Sequence, residues 1–279
     1  MSTIEAVGPA VALDGPPPVA PPHSLLMTPG VVRDRDATRV LNGVNVWGYP
    51  TGCSSLWEPC SDGTFRVKDD DSTMPTERFD AFVVYKAVTC SAFGLRDPEI
   101  LFERAQAVLE ATLSAGVERA LAEGLPNSSN PFIGDQEVDD LTGATQVSPG
   151  VALSMLEEAI GETCRNGMLH FTPAVVSALQ AFPVGDPADT RLITANGTPV
   201  VSGMGYQGID TSTLSTPGTT EDWAFATGPV EVYLGPVRLD SVKENLDRSD
   251  NVLTFRAEMY VLAIWDKVLQ AAALVDWAT

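Results

Sequence analysis

The sequence predicts an α+β chain in which β-rich stretches lie on either side of one long amphipathic helix and a compact mixed segment. Three observations carry this. Asp97-Pro98-Glu99 is an N-cap, a proline at the first helical position and a first-turn acid, and Leu101, Phe102, Ala105, Val108, Leu109, Leu113, Val117, Ala120 and Leu121 then recur at three- and four-residue steps up to Gly124. In Val252–Trp265, Phe255, Ala257, Met259, Val261 and Ala263 alternate with Thr254, Arg256, Glu258 and Tyr260, the period of a strand with one buried face. Residues 1–30 hold seven prolines and only two charged side chains, Glu5 and Asp14, so they form neither a helix nor a central strand.

The elements follow in order. The N-terminal stretch reads as an extended arm, and Val11, Leu13, Leu25, Leu26 and Met27 leave two readings open: a loose terminus, or an arm laid on an apolar surface. Val40-Leu41, Val44–Trp47 and Thr64–Val67 are short strand candidates, Lys68–Thr73 is a polar interruption, and Phe79–Val88 reads as one longer strand. The helix predicted over 97–124 carries one narrow apolar stripe, with Glu103, Arg104, Glu110, Glu118 and Arg119 mostly off it, so it should pack along one side. Residues 125–147 read as a loop. Ser148-Pro149 opens a second helix running to about Arg165, stopped by Asn166-Gly167. Met168–Phe171 is a short strand, and Thr172-Pro173 starts a short helix with Val175, Val176, Leu179 and Ala181 on its buried side. Asn196-Gly197 marks a hairpin between 191–195 and 198–201, with Pro199 suggesting an edge strand or an imperfect ladder. Residues 202–222 read as a Gly/Ser/Thr-rich loop. Trp223–Thr227, Val230–Leu234, Val237–Leu239, Val252–Trp265 and Leu269–Trp277 are strands, the last two expected as a closing meander or hairpin.

The 279 residues carry 17 basic and 37 acidic side chains, a formal charge of −20 at pH 7. Such a surface repels phosphate backbones and anionic lipid, which argues against sequence-reading of nucleic acid. There is no apolar run long enough to cross a bilayer, and the first twenty residues lack the pattern of a signal peptide. Only His23 and His170 offer an imidazole. His170, six residues from Cys164, makes a Cys/His pair conceivable, but a histidine within an apolar strand is expected to be a hydrogen-bonded core or interface residue. Cys53, Cys60, Cys90 and Cys164 are expected as reduced thiols, with a Cys53–Cys60 bridge as the alternative. Asp69-Asp70-Asp71 lacks the spacing of a calcium loop and reads as solvated. Gly203-Met204-Gly205-Tyr206-Gln207-Gly208 has the bare spacing of a dinucleotide fingerprint without a following helix, so its glycines are assigned to turns. The tryptophans 47, 57, 223, 265 and 277 are dispersed, as for core or interface packing. No residue is assigned a catalytic, cofactor-binding or metal-binding role.

His170-Phe171-Thr172-Pro173 with its short helix, then Gly197-Thr198-Pro199-Val200-Val201, then Trp223–Val230, Arg256–Asp266 and Ala271–Asp276, together with the order of elements from about residue 35, resemble the tailed-phage major capsid protein family, the Hong Kong 97-like fold. The resemblance implies an N-terminal arm (1–37), an extended β-hairpin loop (38–96), a spine helix (97–124), an axial α/β domain (125–222) and a peripheral β-sheet (223–279). It implies a non-enzymatic subunit, made in the host cytoplasm and resident in the virion head. Its copies would form hexamers and pentamers of a closed icosahedral shell that encloses double-stranded DNA without reading it, with scaffolding or decoration proteins as further partners. No lysine–asparagine pair for the isopeptide crosslink of some members is identified, and no cofactor, metal or membrane is implied. The alternatives are an encapsulin-type compartment shell, a small hydrolase using Cys164 or clustered carboxylates with His170, and a decoration or tail β-protein.

Overall fold

The structure, a computed structural model, describes residues 15–35, 38–39, 42–48, 76–91, 98–126, 128–179, 192–239, 246–247 and 252–279. Its strands are β1 (Val32–Asp34), β2 (Val44–Trp47), β3 (Thr76–Phe79), β4 (Phe82–Ser91), β5 (Asp139–Asp140), β6 (Met168–Phe171), β7 (Leu192–Ile193), β8 (Pro199–Ser202), β9 (Glu221–Thr227), β10 (Val230–Leu239), β11 (Leu246–Asp247), β12 (Val252–Trp265) and β13 (Gln270–Asp276). Its helices are α1 (Pro98–Glu123), α2 (Pro149–Glu162) and α3 (Pro173–Leu179), with single 3₁₀ turns at Leu25–Met27 and Met204–Tyr206.

The 26 residues of α1 make a rod of roughly 39 Å at about 1.5 Å per residue. Gly124, in the left-handed region at φ 82°, ends it, and its N–H donates to Ala120 O. Leu101, Ala105, Leu109, Leu113, Val117 and Leu121 are buried as the periodicity predicts. The expectation of packing along one side is corrected, because Ser114 and Glu118 are buried as well. The sheet of β4 and β12 covers one side of α1, and the two 3₁₀ turns cover another.

A five-stranded sheet runs β1-β10-β12-β11, with β4 on the other side of β12. A six-stranded sheet runs β5-β13-β9-β6-β8-β7, and β2 and β3 form a separate antiparallel pair. The strand expected at Phe79–Val88 is divided, because the Asn130 side chain donates to Asp80 O and accepts from Asp80 N, both at 2.6 Å. This clamp supplies the partners a ladder would have given and turns the chain, sending Phe79 into β3 and Phe82 into β4.

The closing meander or hairpin is also corrected. Strands β12 and β13 lie in different sheets, as do β9 and β10. One antiparallel pairing runs from Leu239/Ala257 to Val230/Trp265, breaks at two corners, and resumes from Thr227/Gln270 to Glu221/Asp276. The corners abut: a Cβ on Gly228 would stand 2.7 Å from Asp266 O. The alternation in β12 holds as far as Val261 and then gives way to consecutive buried residues, Leu262 and Ala263, as the strand enters this junction.

Smaller elements differ in detail. Helix α2 stops at Glu162, short of Arg165, because the Thr163 hydroxyl donates to Ile160 O at 2.7 Å and Cys164 turns left-handed at φ 53°. Gly235-Pro236 makes a register irregularity within a single strand, β10. The strand containing Pro199 is interior, between β6 and β7, and tolerates proline because Pro199 is its first residue, beyond the β6 pairing. Ala181 lies outside the described residues. Two cores result, one between α1 and the five-stranded sheet and one between α2, α3 and the six-stranded sheet.

Gly228→Ala should lower stability by about 1–3 kcal/mol in thermal or denaturant unfolding, since the opposing atoms are backbone. Gly161→Ala, in the last turn of α2 with nothing within 4 Å of the added Cβ, should be neutral or stabilising by up to about 1 kcal/mol.

Candidate functional site

Where the N-terminal segment meets α1, a carboxylate is the organising group. Glu118 is fully buried and accepts three hydrogen bonds: Leu25 N–H at 2.9 Å and the Ser114 hydroxyl at 2.9 Å on Oε1, and Gly205 N–H at 3.0 Å on Oε2. Leu26 N–H donates to Ser114 Oγ at 3.1 Å, and Ser202 N–H donates to His23 O at 2.8 Å. Leu25 and Val31 enter the core beneath, each worth roughly 1.5–3 kcal/mol of transfer free energy when fully buried. Residues 23–31 thus belong to this chain's own body, which resolves the two readings of the arm for that stretch. Burial pushes the Glu118 carboxyl up, and the two N–H groups and the Ser114 hydroxyl pull the other way.

The Gly203–Gly208 segment is shaped by the same group. A Cβ on Gly203 would lie 2.3 Å from the Glu118 carboxylate, and one on Gly205 would lie 2.4 Å from Ala115 O. Gly208 sits at φ 61° and donates its N–H to Asp222 Oδ1. The assignment to turns therefore holds for Gly208, while Gly203 and Gly205 serve close approach to α1. The stretch read as a loop over 202–222 is anchored from within by the buried Tyr206, Ile209 and Leu214.

A second polar line continues from Tyr206. Thr227 Oγ1 donates its hydrogen to Gly228 O at 2.8 Å, so it must accept from His170 Nε2–H, also at 2.8 Å. Nδ1 of His170 is then the acceptor for the Tyr206 hydroxyl, again at 2.8 Å. The relay ends at the corner between β9 and β10. His170 is fully buried, and desolvation lowers its pKa to about 3, so it stays neutral. Burial, with the charge of Glu118, holds the Tyr206 hydroxyl well above its usual range. A ring with both nitrogens engaged and no solvent contact fits the core role expected for His170. Cys164 is disulfide-bonded, which corrects the expectation of reduced thiols for that residue and removes it as a nucleophile. Cys53, Cys60 and Asp69-Asp70-Asp71 lie outside the described residues. Among the described residues no group of three or more His, Cys, Asp or Glu is placed to hold a metal ion, and no helix is long and apolar enough to cross a membrane.

A groove of about 520 Å³ opens where β2 and β3 meet the sheet junction, walled by Val46, Trp47, Phe79, Ile264 and Trp265. Its charges are paired: Arg33 with Glu231 at 2.5 Å, Arg165 with Asp266 at 3.0 Å, and Lys267 with Glu137 at 2.9 Å. Burial disfavours charge on Lys267, but Glu137, Asp135 and Glu77 more than offset it and raise its pKa. Phe79 meets the Trp265 ring edge-on at 5.0 Å.

Sequence reasoning missed Glu118 as a buried group. The available signal was Ser114 one turn before it, with Val117 and Leu121 beside it on the apolar face. Glu118→Ala should cost more than about 3 kcal/mol, since three buried donors lose their acceptor at once. His170 adds a pH dependence. Its folded pKa is depressed, so its contribution to stability is present above about pH 6.5 and is lost as the pH falls toward 3. The slope approaches about 1.4 kcal/mol per pH unit. Glu118 opposes this, because its raised folded pKa makes acid favour the folded state in its own window. The stability difference between the wild type and His170→Gln, followed by denaturant unfolding from pH 7 to 4, should shrink with falling pH.

No family model and no curated protein matches the sequence. Solved structures do match over nearly the full length. "Capsid of empty GTA particle computed with C5 symmetry" is similar at 14% identity and TM-score 0.57, covering 96% of this chain and 94% of that one. A chain of Microbacterium phage Oxtober96 is similar at 9% identity and TM-score 0.55, with coverage of 98% and 96%. A chain of Mycobacterium phage Ogopogo is similar at 13% identity and TM-score 0.53, with coverage of 97% and 96%. The α+β architecture assembled here, from arm segment to closing strands, is the Hong Kong 97-like capsid fold.

Proposed function

We propose that this chain is the major capsid protein of a tailed phage, a non-enzymatic subunit that tiles into the icosahedral head around packaged double-stranded DNA. The observation that carries the reading is a likeness to capsid structures extending over nearly the whole chain, so no large part is left over for another task. In this reading residues 1–37 are the arm, 38–96 the extended loop, 97–124 the spine helix, 125–222 the axial domain and 223–279 the peripheral sheet. Hexamers and pentamers make the closed lattice, and the virion head is where the protein resides. A charge of −20 suits a container, since repulsion keeps the polymer it encloses from adhering.

Burial divides the N-terminal segment into two parts. Gly15–Pro22 is largely exposed, whereas Leu25 and Val31 are core residues of the same subunit. Removing residues 1–22 should therefore lower particle yield while leaving the unfolding midpoint within a few degrees. Removing residues 1–31 should destabilise the subunit by several kcal/mol, because two buried aliphatic side chains and the N–H partner of Glu118 go with them. Negative-stain microscopy with unfolding melts on both truncations checks this. For the reading itself, the full-length chain under assembly conditions should give hollow closed particles built from one repeated subunit. Monodisperse monomers under every such condition would contradict it.

A further inference from the structure

The groove between the β2–β3 pair and the sheet junction has a particular chemistry. Its cations are already joined to Glu231, Asp266 and Glu137, so it holds no unspent charge for a phosphate or carboxylate. Its ring surface is that of Trp47, 68% exposed although it projects from a strand, while Phe79 and Trp265 lie buried behind it as the floor of the groove. The Trp265 indole N–H is buried without a hydrogen-bond partner among the described residues. Such a surface suits a ligand that is neutral, apolar and rich in acceptors.

The same chain carries a segment of that description. Gly15–Pro22 has five prolines, no charged side chain and no regular secondary structure, and it is largely exposed, with Val19 at 84%. Prolines lack N–H donors but keep strongly accepting carbonyls, and their fixed φ favours a polyproline II rod of about 3.1 Å per residue that loses little entropy on docking. Pyrrolidine rings stack on exposed tryptophan, the logic by which aromatic-lined grooves take proline-rich peptides. None of these residues lines the groove of its own subunit, and the rod leaves the body at a fixed point, where His23 and Leu25 are tied to Ser202 and Glu118.

We propose that residues 16–22 of one copy dock into the Trp47–Phe79–Trp265 groove of a second copy. The inference rests on the shell reading and names a contact that reading requires. Trp47 stacks on the proline rings and is the principal anchor. The Trp265 N–H is shut off from water in the free chain, so it gains a carbonyl acceptor only as the groove wall yields to the entering segment.

The test uses the full-length chain held as dissociated subunits, titrated with a synthetic peptide spanning Asp14–Ser24 and followed by tryptophan fluorescence. Saturable binding is expected. It should weaken roughly tenfold or more when Pro17, Pro18 and Pro21 of the peptide become alanine, and by a similar factor with Trp47→Ala, an exposed site whose fold is checked by circular dichroism. The peptide arm leaves the protein unaltered, so misfolding cannot account for its outcome. No saturable binding, or binding indifferent to both changes, overturns the proposal. Affinity that appears only after residues 1–22 are deleted shows each segment filling its own groove, and overturns the exchange. Particles without peptide binding defeat the docking and leave the shell reading standing, whereas peptide binding without particles does the reverse.

Discussion

Burying a carboxylate costs several kcal/mol unless donors surround it, and Glu118 is surrounded by donors from three separate parts of the chain. Because the group cannot be left unpaired, Leu25 of the N-terminal segment, Ser114 of the same helix and Gly205 of the loop before β9 must all be in place together. The constraint propagates. Glycine at 203 and 205 is needed so that backbone can reach the carboxylate, and Tyr206, positioned by that approach, passes its hydroxyl hydrogen to His170 and so to the corner at Gly228. A line of buried polar contacts thus connects the entry of the chain, the long helix and the crossing between the two sheets.

That crossing gives the subunit its form. A pairing that would otherwise be one long ribbon is broken at Gly228-Pro229 and at Asp266–Leu269, and the two halves join different sheets. Helix α1 packs on one sheet and α2 on the other, so the two cores sit on either side of the corner. The β2–β3 pair packs on this body through Phe79, Val44 and Val46 but leaves Trp47 exposed, and the proline-rich segment leaves Val19 exposed. In a lone molecule those side chains remain in water. In the proposed reading, tiling with identical copies would remove that exposure without requiring any new protein.

Periodicity made much of this legible. The 3.6-residue repeat located α1 to within a residue at each end, and the alternation from Thr254 to Val261 gave both the strand β12 and its buried face. Local patterns failed where a distant residue decided the outcome. Asn130 cuts Phe79–Val88 into two strands from some fifty residues away, a clamp no window around Phe79 contains. Adjacent strands separated by a Gly-Pro or a short polar turn resemble hairpins, and only the sheet-to-sheet crossing shows that they are not. Glu118 looked like a surface charge because charge is ordinarily exposed, and its partners lie 93 and 87 residues away in sequence. The GxGxxG spacing was visible, but its reason, room for that carboxylate, was not.

The central claim is that a buried carboxylate fixes residues 23–31 to the body of their own chain. Amide hydrogen exchange on dissociated full-length subunits addresses it directly. The account predicts that the N–H groups of Leu25 and Gly205 are protected to the same order as the middle of α1. Exchange of both at the rate of open loops, with the helix still protected, would contradict it.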